Sequence, residues 1–252
     1  MASVLVLIPA RYHSSRFPGK PLAKIAGKSM IEHVYHSCFV ERSHHDFHTC
    51  VVTDDQRIED EVNRFGAHVV RVDDHVESGS ERIYLAYERF YKDKNFDFLL
   101  NVQGDEPLID SQVLESIIDF HANSEFDIAT VVKEKNGSDE AFSNPNNVKA
   151  ILCERSGQCL YFTRSQAPFV REKEELGHFR WHHHIGIYSY RPKALERFSN
   201  EQMSRLEKLE RLEQLRAMEL GMKIGAIVTH KNLIGVDHQE DILKVEEVLN
   251  AK

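Results

Sequence analysis

Arg11, Arg16 and Lys20 stand close together in LIPARYHSSRFPGK, the stretch from Leu7 to Lys20, which also carries Pro18 and Gly19. Cationic side chains beside a glycine turn are suited to phosphate, because guanidinium, ammonium and backbone N–H groups together offset the charge of an oxyanion. A second set of residues is acidic. VQGDEP (Val102–Pro107) contains Gly104, Asp105 and Glu106, and IGVD ends on Asp237. Carboxylate oxygens of this kind suit Mg²⁺, which takes one or two protein carboxylates and completes its shell from phosphate and water. No Ser/His/Asp or Cys/His nucleophile pattern accompanies them. Cations and a metal without a nucleophilic side chain point to transfer at phosphorus, in which Lys and Arg offset charge on a leaving pyrophosphate and the metal orients an attacking hydroxyl. Taken singly, Asp105 and Asp237 are also ordinary turn or helix-capping residues.

The basic loop needs a rigid frame, and the sequence supplies one. Val4 to Ile8 is an unbroken apolar run without polar alternation, the pattern of a buried parallel strand. Open α/β sheets bind ligands beyond the carboxyl ends of such strands, which is where the loop lies. It is neither a Walker A loop nor a dinucleotide fingerprint: Gly19-Lys20 runs into Pro21 with no partner glycine upstream, and no G-x-G-x-x-G follows the first strand. Helical spacing follows over 29–37. Strands at 48–53, 67–72 and 96–103 then alternate with helices at 57–65, 82–91 and 111–123. Ser78, Gly79 and Ser80 mark the start of the 82–91 helix, and VQGDEP closes the 96–103 strand on the same rim as the basic loop.

The second half is more mixed. Strands are expected at 126–133, 148–153, 159–163, 185–190 and 223–229, and helices at 192–198 and 239–249. Residues 171–181 form a charged excursion, and 202–220, with leucines at 206, 209, 212, 215 and 220, reads as one amphipathic helix ended by Gly221. No repeat, low-complexity tract or linker divides the chain. The expectation is a single domain over 1–252 with a possible lobe at about 130–190.

Composition narrows the function. The 252 residues carry a formal net charge of −8, against the basic excess of a nucleic-acid or membrane-surface binder. No run approaches the roughly 18 apolar residues of a membrane span, and no signal peptide opens the chain, so a soluble cytoplasmic protein is expected. Cys38, Cys50, Cys153 and Cys159 lack CxxC spacing and read as reduced thiols. The histidine clusters His44-His45 with His48, and His182-His183-His184, read as structural, since consecutive strand residues face opposite ways and cannot share one metal.

LIPARYHSSRFPGKPL, ESGSER, NVQGDEP, LYFTRSQAPF, HIGIYSYR, LERLEQLR and GVD occur in this order. Together they closely resemble the cytidylyltransferases that activate 3-deoxy-manno-octulosonate (Kdo), the CMP-Kdo synthetases, over about residues 4–249. The resemblance implies a Rossmann-like nucleotide-diphospho-sugar transferase fold, a mixed and mostly parallel sheet flanked by helices with a small lobe. It further implies a cytoplasmic homodimer that uses Mg²⁺ to convert CTP and Kdo into CMP-Kdo and pyrophosphate for lipopolysaccharide synthesis. By the same resemblance Arg11 and Lys20 contact the triphosphate, Ala10 lies at the cytosine, Arg82 stands near the nucleotide, and Asp105 and Asp237 hold metal. Gln103, Arg164, His184, Tyr188, Glu213 and Gln214 match positions lining the sugar pocket, where a cation or imidazole binds the substrate carboxylate and the others bind hydroxyls.

The chain also departs from the family pattern. Two residues, Val76 and Glu77, separate His75 from Ser78-Gly79-Ser80 where one is usual, and Ser80 stands for threonine. Pro168-Phe169 replaces proline-tryptophan, and His238-Gln239 replaces threonine-proline. A close variant acting on 8-amino-3,8-dideoxy-manno-octulosonate shares the loop and the leucine-glutamate-rich segment, so the amino sugar is an alternative substrate. Other acidic 2-keto sugars, such as a sialic acid, and a catalytically silent sugar-nucleotide-binding module are the remaining alternatives.

Overall fold

The computed structural model describes residues 1–13, 17–40, 43–76, 78–137, 139–236 and 238–250. Arg16 and Asp237 lie outside the described residues. The chain divides into two compact units, Met1–Glu115 with Asn232–Lys252, and Ser116–Lys231.

The first unit opens with β1 (Ser3–Ala10), in which every residue after Ser3 is buried. A 3₁₀ turn over Lys20–Leu22 follows, then the short pair β2 (Lys24–Ile25) and β3 (Lys28–Ser29), neither of which the apolar pattern announces. Helix α1 (Met30–Ser37), β4 (Asp46–Thr53), α2 (Gln56–Arg64), β5 (Val69–Arg71), α3 (Gly79–Phe90) and β6 (Phe98–Asn101) continue the alternation. The strands lie in the order β5-β4-β1-β6, and all three pairings are parallel. Ala10 lies opposite Thr53, and Leu7 opposite Asn101, so the loops after β1, β4 and β6 leave from the same edge of the sheet. That edge is where a parallel sheet binds ligands.

Helix α3 begins three residues before its expected start because Ser78 caps it, accepting a hydrogen bond from the Glu81 amide. Helix α4 (Ser111–Ala122) carries the chain into the second unit.

The second unit contains β7 (Ile128–Asn136), α5 (Glu140–Ser143), β8 (Lys149–Cys153), β9 (Gln158–Thr163), β10 (Arg180–Tyr190), α6 (Pro192–Ser199), α7 (Arg205–Glu210), α8 (Gln214–Glu219) and β11 (Ile224–Thr229). Its strands pair in the order β10-β7-β11-β9-β8, and β8 also meets β10 at His182↔Ala150 and His183↔Lys149, so the ladder closes on itself. The sheet is mixed: β11 runs parallel to β7, and the other pairings are antiparallel.

Two expectations are corrected here. The charged segment 171–181 is not all excursion: it contains a 3₁₀ turn over Lys173–Gly177 and the first residues of β10, with Trp181 only 1% exposed and packed on Phe142. The stretch 202–220 is two helices instead of one. Arg211 breaks it by adopting a left-handed conformation at φ 52, and the leucines do not share a face, since Leu209 is 70% exposed while Leu215 is fully buried.

Helix α9 (Asp241–Asn250) returns to the first unit, where Val236 and Val245 join Ile25, Met30 and Leu108 in one apolar cluster. Among the described residues no helix is long and apolar enough to cross a membrane.

Candidate active site

The cavity at the carboxyl edge of the first unit measures about 450 Å³ and is lined by Pro9, Ala10, Arg11, Lys20, Gln103 and Asp105 among others. Its floor depends on a close approach of two loops. A Cβ on Gly104 would stand 2.8 Å from the Pro9 carbonyl oxygen, so only glycine lets the turn after β6 lie against the end of β1.

Lys20 reaches the cavity because Gly19, at φ 71, turns the chain into the 3₁₀ turn while its amide donates to the Tyr12 carbonyl at 2.8 Å. The Lys20 ammonium donates to Asp105 Oδ2 at 2.6 Å and to the Val236 carbonyl at 2.8 Å. The Val236 amide in turn donates to the Asp105 carbonyl at 2.8 Å. Basic loop, acidic turn and C-terminal segment are thereby knotted together at one place. Arg11 donates from Nη1 to the Val76 carbonyl at 3.3 Å. Gln103 is aligned by its side-chain amide, which donates to Asn101 Oδ1 at 3.5 Å.

Asp105 suits a divalent cation. Its side chain is about a third exposed, Oδ2 is held by Lys20, and Oδ1 has no hydrogen-bond partner among the described residues, leaving a hard oxygen available beside the cavity.

Arg82, expected at the nucleotide, is 2% exposed and does not line this cavity. Its guanidinium donates to the Val72 carbonyl and pairs with Asp54 at 2.8 Å, and burial lowers its pKa. It holds the segments after β4 and β5 to α3.

In the second unit His184 and Tyr188 flank a β-bulge in β10, where the register against β7 shifts between Ile185 and Tyr188. Thr130 fills the bulge. Its hydroxyl donates to the Ile187 carbonyl at 2.7 Å, and having one proton it must accept from His184 Nε2, 3.0 Å away. The imidazole is thus the neutral Nε2–H tautomer, and burial pushes its pKa down to about 3. His184 therefore presents Nδ1 as a hydrogen-bond acceptor for hydroxyls and brings no positive charge to a carboxylate. Tyr188 stays protonated, because burial and then the nearby Glu213 carboxylate raise its pKa.

Glu213 is the N-cap residue of α8 and Gln214 its first residue. Gln214 is 5% exposed, and its Nε2 has no hydrogen-bond partner among the described residues. A buried amide left in this way is costly unless a ligand oxygen meets it. Arg164 is spent on the protein: it donates to the carbonyls of Glu210 at 2.6 Å, Pro145 at 2.9 Å and Arg211 at 3.2 Å. Motif spacing gave no sign of Thr130, of Asp54 or of the Val236 carbonyl, since each acts through a partner distant in sequence.

The parallel sheet, with cations and a carboxylate gathered at its carboxyl edge, defines a nucleotidyltransferase of the α/β class. Comparison with known proteins makes this specific. The chain belongs to the cytidylyltransferase family, whose sequence pattern matches residues 5–224. A Cytophaga hutchinsonii protein named 3-deoxy-manno-octulosonate cytidylyltransferase is 40% identical over 247 residues, covering 96% of each chain. A Shewanella sp. protein named 8-amino-3,8-dideoxy-manno-octulosonate cytidylyltransferase is 42% identical over 252 residues, covering 99% of each. A solved CMP:2-keto-3-deoxy-manno-octonic acid synthetase in complex with CTP has a TM-score of 0.88 and 34% identity, with 99% of each chain covered.

Proposed function

We propose that this cytidylyltransferase activates 3-deoxy-manno-octulosonate with CTP, giving CMP-Kdo and pyrophosphate for lipopolysaccharide synthesis. The observation that carries the reading is the Lys20, Asp105 and Val236 knot in a cavity also lined by Arg11 and Gln103. The anomeric 2-hydroxyl oxygen of the sugar acid attacks the α-phosphorus of CTP. A new oxygen–phosphorus bond forms, the bond to the bridging oxygen breaks, the hydroxyl proton is lost, and pyrophosphate departs. Lys20 and Arg11 bind the triphosphate and offset the charge that grows on the leaving group. Ala10 sits at the base. Within the second unit His184 Nδ1 is suited to accept from a sugar hydroxyl, and Tyr188, Glu213 and Gln214 to supply further hydrogen bonds; within the first unit Gln103 lines the nucleotide cavity.

Asp105, together with Asp237, would hold Mg²⁺, which when bound supplies charge neutralisation at the phosphates. A cytoplasmic homodimer fits this role. The same reaction on 8-amino-3,8-dideoxy-manno-octulosonate is the second reading, supported by the Shewanella relative.

The test is pyrophosphate release from CTP with Mg²⁺, comparing Kdo, its 8-amino analogue and N-acetylneuraminate, with UTP and ATP as controls. Release with CTP and Kdo is expected. Preference for the amino sugar reassigns the substrate, and silence with all three refutes the assignment.

A further inference from the structure

Glu213 and Gln214 follow a turn that contains no glycine. Arg211 takes the left-handed conformation at φ 52, which disfavours any residue bearing a Cβ, so surrounding contacts must impose it. Arg216 supplies them from within α8. Its Nε donates to Glu207 Oε2 at 2.8 Å and its Nη2 to Oε1 at 2.7 Å, a two-pronged pair whose side chains are 2% and 5% exposed. Nη1 donates to the Glu201 carbonyl at 3.0 Å, and the guanidinium lies 4.5 Å from the centre of the Phe198 ring. Glu207 also completes the capping box with Ser204 that starts α7.

The turn is gripped from its other side as well. Arg164 donates to the carbonyls of Glu210 and Arg211, and the Glu210 carboxylate accepts from the Thr163 hydroxyl and the Arg164 amide, both at 2.7 Å. The start of α8 is therefore gripped from both sides, and it holds buried the Gln214 Nε2, which has no hydrogen-bond partner among the described residues.

A buried ion pair is a poor source of stability, since apolar residues of similar volume often do as well, but its fork geometry fixes direction. We infer that Arg216 is a positioning residue: through its pair with Glu207 it sets the first turn of α8 so that Glu213 and Gln214 meet the acidic sugar, and it governs affinity for that substrate without touching it. The inference rests on the sugar-acid reading given above.

The test compares the wild type with Arg216→Lys and with the double variant Arg216→Met, Glu207→Leu. Lysine keeps the charge and loses the fork, so KM for Kdo is expected to rise about tenfold while KM for CTP stays within about twofold. The double variant leaves no orphaned charge. Its melting temperature is expected to fall by no more than a few degrees, because Glu207→Leu also opens the capping box with Ser204, with KM for Kdo still raised and faster hydrogen exchange in the ligand-free protein at the amides of Leu215 and of position 216, which donate to the carbonyls of Leu212 and Glu213. Wild-type KM for Kdo or wild-type exchange in the double variant overturns the inference, as does an equal rise in both KM values for Arg216→Lys. Should the double variant fail to fold, Arg216→Lys decides alone. Failure of the substrate reading appears separately, as a wild type that turns over no sugar acid, and the exchange rates then still report whether Arg216 holds the turn.

Discussion

Replacing Lys20 by alanine should separate nucleotide binding from folding. The side chain is 13% exposed, and its ammonium donates to Asp105 and to the Val236 carbonyl among the described residues. Against a triphosphate it would contribute a charge-assisted hydrogen bond, worth roughly 1.5–3 kcal/mol. At 1.36 kcal/mol per tenfold, its loss lowers kcat/KM for CTP by roughly 10- to 150-fold. The cost to the fold is smaller. Asp105, about a third exposed, keeps its hydration, and the main loss is the partner of one carbonyl, about 1 kcal/mol or a few degrees in melting temperature. The assay is the initial rate of pyrophosphate release with CTP varied at saturating sugar acid and then the reverse, alongside a thermal melt. The expected result is a large rise in KM for CTP with little change for the sugar acid. Equal rises for both substrates would falsify the triphosphate assignment, and a collapse of the melting temperature with kcat/KM intact would make Lys20 a structural residue.

On the proposed metal role, Asp105→Asn should lower turnover by at least about a hundredfold and leave the melting temperature within a few degrees, because a partly exposed carboxylate is replaced and no core packing is lost; near-normal Mg²⁺-dependent rates in this variant would exclude the metal role. Gly104→Ala should destabilise by roughly 1–3 kcal/mol and impair CTP use, since the new Cβ meets the Pro9 carbonyl at 2.8 Å; an unchanged denaturation midpoint would show that the two loops can part without cost. Burial pushes the pKa of His121 down to about 4 and that of His184 to about 3, whereas both titrate near 6.5 when unfolded. Below that value each of these two rings is protonated when unfolded and neutral in the fold, so their contribution to stability is full at neutral pH and falls by up to about 2.7 kcal/mol per pH unit between about pH 5.5 and 4.5, easing as the folded His121 takes up its proton near pH 4. Urea midpoints measured across this range should show a shallower fall in His121→Gln than in the wild type, and parallel curves would refute the assignment.

The sequence alone determined much of the local structure, because the physics there is short in range. The unbroken apolar run at Val4–Ile8 could only be a buried parallel strand, Ser78 could cap the helix beginning beside it, and Gly19 could supply the left-handed turn that aims Lys20. That the cations after the first strand and Asp105 after β6 share one rim was legible for the same reason, since both follow parallel strands. Tertiary structure decided what those residues touch. The bonds from Lys20 to Asp105 and to Val236 span 85 and 216 residues, distances over which no spacing rule operates. The break at Arg211 was hidden because the leucine spacing continues through it, and only the packing of Arg216 on Glu207 and of Arg164 on the turn carbonyls makes a left-handed arginine tolerable. The charge of His184 was likewise undecided until burial made the ring neutral and the Thr130 hydroxyl, committed to the Ile187 carbonyl in the bulge, fixed its tautomer.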